Sequence, residues 1–423
     1  MTSLSEALRT GAWLTRERVR LVAFVLLIAS LLGAAFLLFT SDGVNDRFGR
    51  PLGTDFSNVY AAGTYVLEGK AAAPFDPHQQ YAREQAIFGS DTQFYGWHYP
   101  PFFLAIAGPL ALMPYWLALA VWQGATLIFY VLAMQAILKS APGVGGRDGA
   151  AHGGLWLLLA LAYPAVFINL GHGNNGFLTA ALLGGALVQL DRRPWLAGIL
   201  IGLLAYKPQF GLLIPLVLAA SGRWRAFLSA ALTVAALALA VSIAFGVDVW
   251  GAFLASTAFT RSVVLEQGGT GWHKIQSVFS WVRMWGGGVP LAYAVQGALM
   301  LGLAASVAWL WRTRAAFPLK AAALLIGTAL ATPYVLDYDL VLLAPAIAFL
   351  AVDGMRRGFA PWEKSMLAAL WLTPLFARSI AQAALVPLAV PTMLLAFAFV
   401  LQRARSHRDH AALRSVAHQI AAE

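Results

Sequence analysis

Cysteine is absent from this chain and charge is scarce. The first absence excludes disulfides, thiolate nucleophiles and cysteine-held metals. The second excludes a water-soluble domain, because only 11% of the 423 residues are charged, against roughly 25% in a soluble fold. Hydrophobic residues make up 60% of the chain. What remains is an all-α, polytopic transmembrane bundle. Its first apolar run, residues 21–40, is long enough to cross a hydrocarbon core of ~30 Å. The run is too long for the apolar part of a signal peptide and no small-residue cleavage site follows it, so it reads as a retained span.

The net charge of +10 suggests nucleic acid until its placement is followed. Basic residues cluster at Arg9–Arg20, Lys139/Arg147, Arg192/Arg193, Arg223/Arg225, Arg312–Lys320, Arg356–Lys364 and Arg403–Arg414. Placing all seven clusters on one side accounts for 20 of the 29 Lys and Arg residues, which is the positive-inside pattern. About twelve spans then alternate, near 21–40, 115–138, 153–170, 176–190, 195–206, 208–220, 226–246, 290–311, 318–334, 339–352, 361–380 and 383–401. Residues 195–220 break at "YKPQ", and 100–113 read as either a short span or a surface segment. The domain plan is a cytoplasmic tail at 1–20, a transmembrane domain at 21–401 and a basic cytoplasmic tail at 402–423.

Two long loops fall on the outer face, residues 41–99 and 247–289. The first holds seven of the nineteen acids. In "GTDFSNVYAAGTYVLEGK", Phe56, Val59, Tyr60, Gly63 and Val66 recur at helical spacing, which predicts an amphipathic helix along the membrane interface. Asp55 stands where an N-cap would be, and Gly69 is a plausible stop; Asp55 reads either as a cap or as a reactive acid. "YGWHYPPFF" closes the loop with His98 and Tyr99 ahead of two prolines that forbid a helix at that point. "NLGHGNNG" is an outer turn whose His172, Asn174 and Asn175 are also candidates to hydrogen-bond sugar hydroxyls.

"YKPQFG" combines Lys207, Pro208 and Gln209 in a broken span. Irregular backbone at that depth is tolerated where it lines a cavity; the lysine either snorkels or meets an anionic substrate group. In "GWHKIQSVFSWVR", Trp272, Ile275, Val278, Phe279 and Val282 form an apolar helical stripe, while His273, Lys274, Gln276, Ser277 and Arg283 supply polar groups. "TPYVLDYDL" sets Asp337, Tyr338 and Asp339 at an outer turn, where the acids bind an acceptor or pair with Lys207 or Arg378. Charges near the membrane are costly and usually functional. No His/Glu spacing of a dedicated metal site is present, and no metal or cofactor is expected.

An early Asp followed by Tyr and Gly in the first outer loop, then "YPP", "KPQ", "QS" and "TPY…DYDL" in that order, resembles glycosyltransferase family 87 from about residue 20 to 400. The resemblance implies a C-type glycosyltransferase fold and a polyprenyl-phosphate sugar donor of the mannosyltransferase kind. It implies a lipid or glycan acceptor, and an active site facing outward from a bacterial inner membrane. Asp55 then matches the catalytic acid of the first loop, Lys207 the lysine of the break, and Gln276 with Ser277 a polar pair near the donor. Mannosyltransferase-type members carry a histidine pair in the region where this chain has Tyr338 and Asp339. In that frame Lys207, Arg378, Lys274 and Arg283 are expected at the donor phosphate. Tyr60, His98, Tyr99, His172, Asn174, Asn175, Gln209, His273, Gln276, Ser277, Asp337, Tyr338 and Asp339 are expected at the sugar or acceptor. The competing class is a transporter or lipid-linked sugar flippase, against which stand the lack of an internal repeat and the large, aromatic first loop.

Overall fold

The computed structural model describes residues 3–139 and 149–420, with no side-chain description for 149–152 and 407–420; Arg147 and the tail's Arg408 and Arg414 therefore fall outside what is described. The described residues form helices and short 3-10 turns with no strand. Among the described residues five helices are long and apolar enough to cross a membrane: Arg16–Phe39, Tyr115–Leu138, Trp224–Phe245, Val289–Arg312 and the run Asp337–Arg357. A sixth crossing follows if Gly153–Leu161 and Pro164–His172, bent by 46°, count as one. Other expected spans are present as shorter apolar helices, including Gly176–Gln189, Pro194–Tyr206, Pro208–Ala220 and Phe317–Ala331. Prolines in the first turns of Pro194–Tyr206, Pro208–Ala220 and Phe317–Ala331, together with the 3-10 geometry at 203–211, break the chain there into pieces.

The Asp337–Arg357 run is the axis of the bundle. It is almost wholly buried, whereas Arg16–Phe39 lies at the periphery with its side chains exposed. Beginning with the acids of the "DYDL" turn, it extends for about 30 Å at 1.5 Å per residue. At its far end Asp353 and Glu363, both buried, receive the Arg403 guanidinium. The N-terminal segment joins that end, where Trp362 N–H donates to the Arg9 carbonyl at 2.6 Å and Trp13 Nε1 donates to Ser365 Oγ at 2.8 Å. Three basic clusters thus gather at one end of the bundle, and the "DYDL" acids stand at the other.

Two close approaches position the outer helices. Thr54–Leu67 packs on Leu104–Ala111 through Gly63, where an added Cβ would lie 2.2 Å from the Ala107 carbonyl oxygen. Gly198 and Gly202, one turn apart on Pro194–Gly202, meet Ser229 and Thr233 of Trp224–Phe245 in the same manner. We predict that Gly63→Ala costs about 1–3 kcal/mol through overpacking and lowers the thermal midpoint in detergent. Gly124→Ala, where nothing lies within 4 Å of the new methyl, is the matched control and leaves the midpoint unchanged or raised.

Candidate active site

The expected helix after the first span exists, Thr54–Leu67, and stops just before Gly69. Its N-cap is Gly53, in the left-handed conformation at φ +67°, so Asp55 sits within the first turn and makes no capping bond. The reason is local packing. Gly53 abuts Gly173, itself left-handed at φ +63°, and a Cβ on Gly173 would come within 2.6 Å of Phe56 Cβ. Tyr115 donates to the Leu52 carbonyl at 2.6 Å, and Trp122 donates to the Gly173 carbonyl at 3.0 Å, which locks both turns to Tyr115–Leu138. Side chains are thereby excluded from the junction and Asp55 is delivered to the 172–175 turn.

That turn is a helix end followed by a bend, as its composition suggests, and its side chains reach the carboxylate. Asn174 Nδ2 donates to Asp55 Oδ2 at 3.0 Å. His172 Nδ1 lies 3.6 Å from Asp55 Oδ1 and 2.8 Å from Thr54 Oγ1. Burial pushes the Asp55 carboxyl upward, but the His172 imidazole and the hydrogen bonds of Tyr338 and Asn174 outweigh it and leave the group below its ordinary range. Asp55 is therefore an anion at neutral pH.

Lys207 does not snorkel. It is buried between two 3-10 turns, Leu203–Tyr206 and Pro208–Gly211. Its Nζ donates to Asp339 Oδ1 at 2.6 Å and faces Asn174 Oδ1 at 3.4 Å. Asp337 takes the other cation, with Arg378 Nε 2.5 Å from its Oδ2. Both acids of the "DYDL" turn thus find the basic partners weighed for them.

Most of these groups border one polar cavity of about 270 Å³, while Asn174 and Asp337 stand behind its wall. Asp55, His98, Tyr99, His172, Lys207, Gln209, Lys274, Tyr338, Asp339 and Arg378 line it. Arg50, Asn58, Gln93, Tyr95, Thr270 and Tyr334 join them without having been singled out; Asn58, Tyr95 and Tyr334 fall inside the quoted motifs. His98 is held by Thr260, whose Oγ1 lies 2.9 Å from Nδ1, and burial lowers its imidazole to about 4.

Other expected residues stand apart from the cavity wall. Tyr60 donates to the Met113 carbonyl at 2.9 Å. Asn175 is buried with neither side-chain atom hydrogen-bonded. The second-loop helix is shorter than its apolar stripe predicts, Val278–Met284, because Gln276 N–H bonds the Val335 carbonyl at 2.7 Å and Ile275 bridges Leu336. Gln276 Nε2 donates to the His273 carbonyl, and its Oε1 accepts from Ala389 N–H. Ser277 caps the short helix with Ser280. Arg283 donates to the carbonyls of Gly287 and Glu266 and lies over the Trp272 ring. Of that segment, only Lys274 lines the cavity.

One buried acid supports the wall from behind. Glu84, on Pro77–Phe88, accepts from Tyr95 N–H at 2.9 Å, Gly96 N–H at 3.0 Å and Gln80 Nε2 at 3.1 Å. Burial raises it to about 7 despite these bonds.

A membrane protein whose described residues are helical, with a polar cavity that holds one carboxylate lacking a Lys or Arg partner and several cations at one end of its bundle, has the makings of a membrane-embedded group-transfer enzyme. The family model of glycosyltransferase family 87 matches residues 97–333, and the chain belongs to that family: it is a glycosyltransferase. The matched segment includes His98, His172, Asn174, Lys207 and Lys274, with Asp55 before it and Arg378 after it. No curated protein and no solved structure matches the chain.

Because the folded protein holds the Glu84 proton up to about 7, its contribution to stability is complete below the usual carboxylate range and is lost as pH rises through about 7. Glu84→Gln does not titrate. The melting-temperature difference, mutant minus wild type, is predicted to grow more favourable to the mutant between about pH 5 and 8. A difference that stays flat with pH contradicts the burial of an ionising group there.

Proposed function

We propose that the protein is an inverting glycosyltransferase that takes its sugar from a polyprenyl-phosphate donor. The acceptor is a lipid or glycan hydroxyl, and transfer takes place at the outer face of a bacterial inner membrane. The observation that carries this reading is the charge pairing around the cavity. Lys207 is paired with Asp339, Arg378 with Asp337 and Arg50 with Asp46. Among the described residues lining the cavity, Asp55 is the carboxylate with no Lys or Arg partner, and Lys274 is the cation with no acidic one. One base and one positive charge are left free to act on a substrate.

A phosphate leaving group is already stable as an anion, so the second, protonating carboxylate of a glycosidase is not needed. Asp55 takes the proton of the acceptor hydroxyl as that oxygen bonds the anomeric carbon. The bond from the anomeric carbon to the phosphate oxygen breaks, and its electron pair leaves with the polyprenyl phosphate. Lys274 meets that phosphate through a charge-assisted hydrogen bond, with Lys207 behind it. Attack opposite the departing oxygen inverts the centre.

The surroundings of the Lys207 turn favour a lipid-linked donor. While Tyr206, Lys207 and Gln209 face the cavity, Leu204, Ala205, Pro208 and Gly211 face an apolar groove of about 780 Å³ beside Trp224–Phe245. Small side chains of that helix, Ala230, Ala231, Ala235 and Ala238, form its floor. An isoprenoid chain in the groove would place its phosphate at the Lys207 turn. The basic clusters gathered at the opposite end of the bundle support an outward-facing cavity by the positive-inside rule.

Incubating the purified protein with radiolabelled polyprenyl-phosphate sugars and a lipid extract tests the reading. Labelled product is expected from wild type, and Asp55→Asn is expected to lower kcat by about 10²–10⁴-fold with the protein still folded. Lys274→Ala is expected to raise the KM for donor by about 10-fold or more with a smaller change in kcat. Full activity in Asp55→Asn removes that residue from the chemistry, and an unchanged KM removes Lys274 from the phosphate.

A further inference from the structure

Arg378 was expected at the donor phosphate, yet its guanidinium is committed elsewhere. One nitrogen meets Asp337 Oδ2 at 2.5 Å, and another lies 3.2 Å from His172 Nε2. A guanidinium has donors only and does not lose its proton in a protein. His172 Nε2 must therefore accept, and an imidazole whose Nε2 accepts carries its one proton on Nδ1. That nitrogen is the one facing Thr54 Oγ1 and Asp55.

We propose that Arg378 and Asp337 are positioning residues that hold His172 as the neutral Nδ1–H tautomer, and that His172 in turn holds the first turn of Thr54–Leu67 so that Asp55 faces the cavity. The proposal rests on the reading of Asp55 as the base. With the proton on Nδ1, His172 donates to Thr54 Oγ1 and turns a partial positive charge toward the carboxylate. In the other tautomer a nitrogen lone pair would oppose the Asp55 anion, and the Thr54 hydroxyl would have to turn its proton to that nitrogen. The Tyr338 ring, 5.2 Å from the imidazole centre to centre, bounds the remaining side. Asp337 orients the guanidinium and is itself buried, so the order of dependence runs Asp337, Arg378, His172, Asp55. Arg378 lines the cavity without being its free cation, which separates it from Lys274.

The test reads the tautomer directly. Protein labelled with ¹⁵N-histidine is examined at neutral pH, and the His172 signals are assigned by their loss in His172→Gln. The proposal expects an accepting, pyridine-like Nε2 and a protonated Nδ1 in wild type. In Arg378→Met it expects that pattern to give way to mixed tautomers or to an imidazolium. Because Arg378→Met leaves Asp337 buried and unpaired, the double variant Asp337→Asn/Arg378→Met is made alongside it and is expected to lose the pattern too. In turnover assays both are expected to lower kcat by about 10–100-fold with the donor KM within about twofold of wild type. An imidazolium or an Nε2–H tautomer in wild type overturns the proposal, as does a rise in donor KM with the His172 signals unmoved. The spectrum requires no turnover, so a failure of Asp55 as base in the activity assay and a failure of the tautomer are separate results.

Discussion

Asn174 carries the constraint on which the site depends. Its amide nitrogen donates to Asp55 and its carbonyl oxygen faces Lys207. A neutral group therefore stands between the proposed base and the buried Lys207. Were Lys207 to reach Asp55 directly, the two would close into an ion pair like that of Lys207 with Asp339, and Asp55 would no longer be without a Lys or Arg partner. Asp339 completes the separation by taking the lysine at 2.6 Å. A buried ammonium without a carboxylate partner would be costly, so the "DYDL" acid is as much a condition of the site as Asp55.

That arrangement is built by backbone. Two left-handed glycines, Gly53 and Gly173, touch where side chains would collide, and two aromatic donors, Tyr115 and Trp122, tie the flanking carbonyls to one long helix. The 3-10 turns around Lys207 then present a charged face inward and an apolar face to the groove beside Trp224–Phe245. One short segment thus separates a wet cavity from a lipid-facing trough, which suits a substrate with a polar head and an isoprenoid tail. The far end of the axial helix is closed by Arg403 between Asp353 and Glu363.

Composition made the helical membrane class legible, and period 3.6 made the helix after Gly53 legible. Asp55 was mistaken for a possible cap because a glycine N-cap leaves little trace in sequence, while Asp in a first turn looks the same in either role. The count of about twelve spans was not reached by long helices alone, because prolines and 3-10 geometry cut several apolar runs into shorter pieces. The stripe from Trp272 to Val282 promised one helix, but a 3-10 turn at Trp272–Lys274 gives way to extended backbone at Ile275, since that backbone pairs with residues 335–336. Pairing of the "DYDL" acids with Lys207 and Arg378 was foreseeable from charge economy alone. The contact of Asp55 with His172 and Asn174, more than a hundred residues apart in sequence, was not, because it depends on how two glycine turns dock.

The most direct test of the account is a cryo-EM structure of the Asp55→Asn protein with a polyprenyl-phosphate sugar bound. The account predicts a phosphate within hydrogen-bonding distance of Lys274 Nζ, an isoprenoid chain in the groove behind Pro208, and the anomeric carbon facing the cavity beside residue 55. A donor seated outside this cavity, or one whose sugar points away from residue 55, contradicts it.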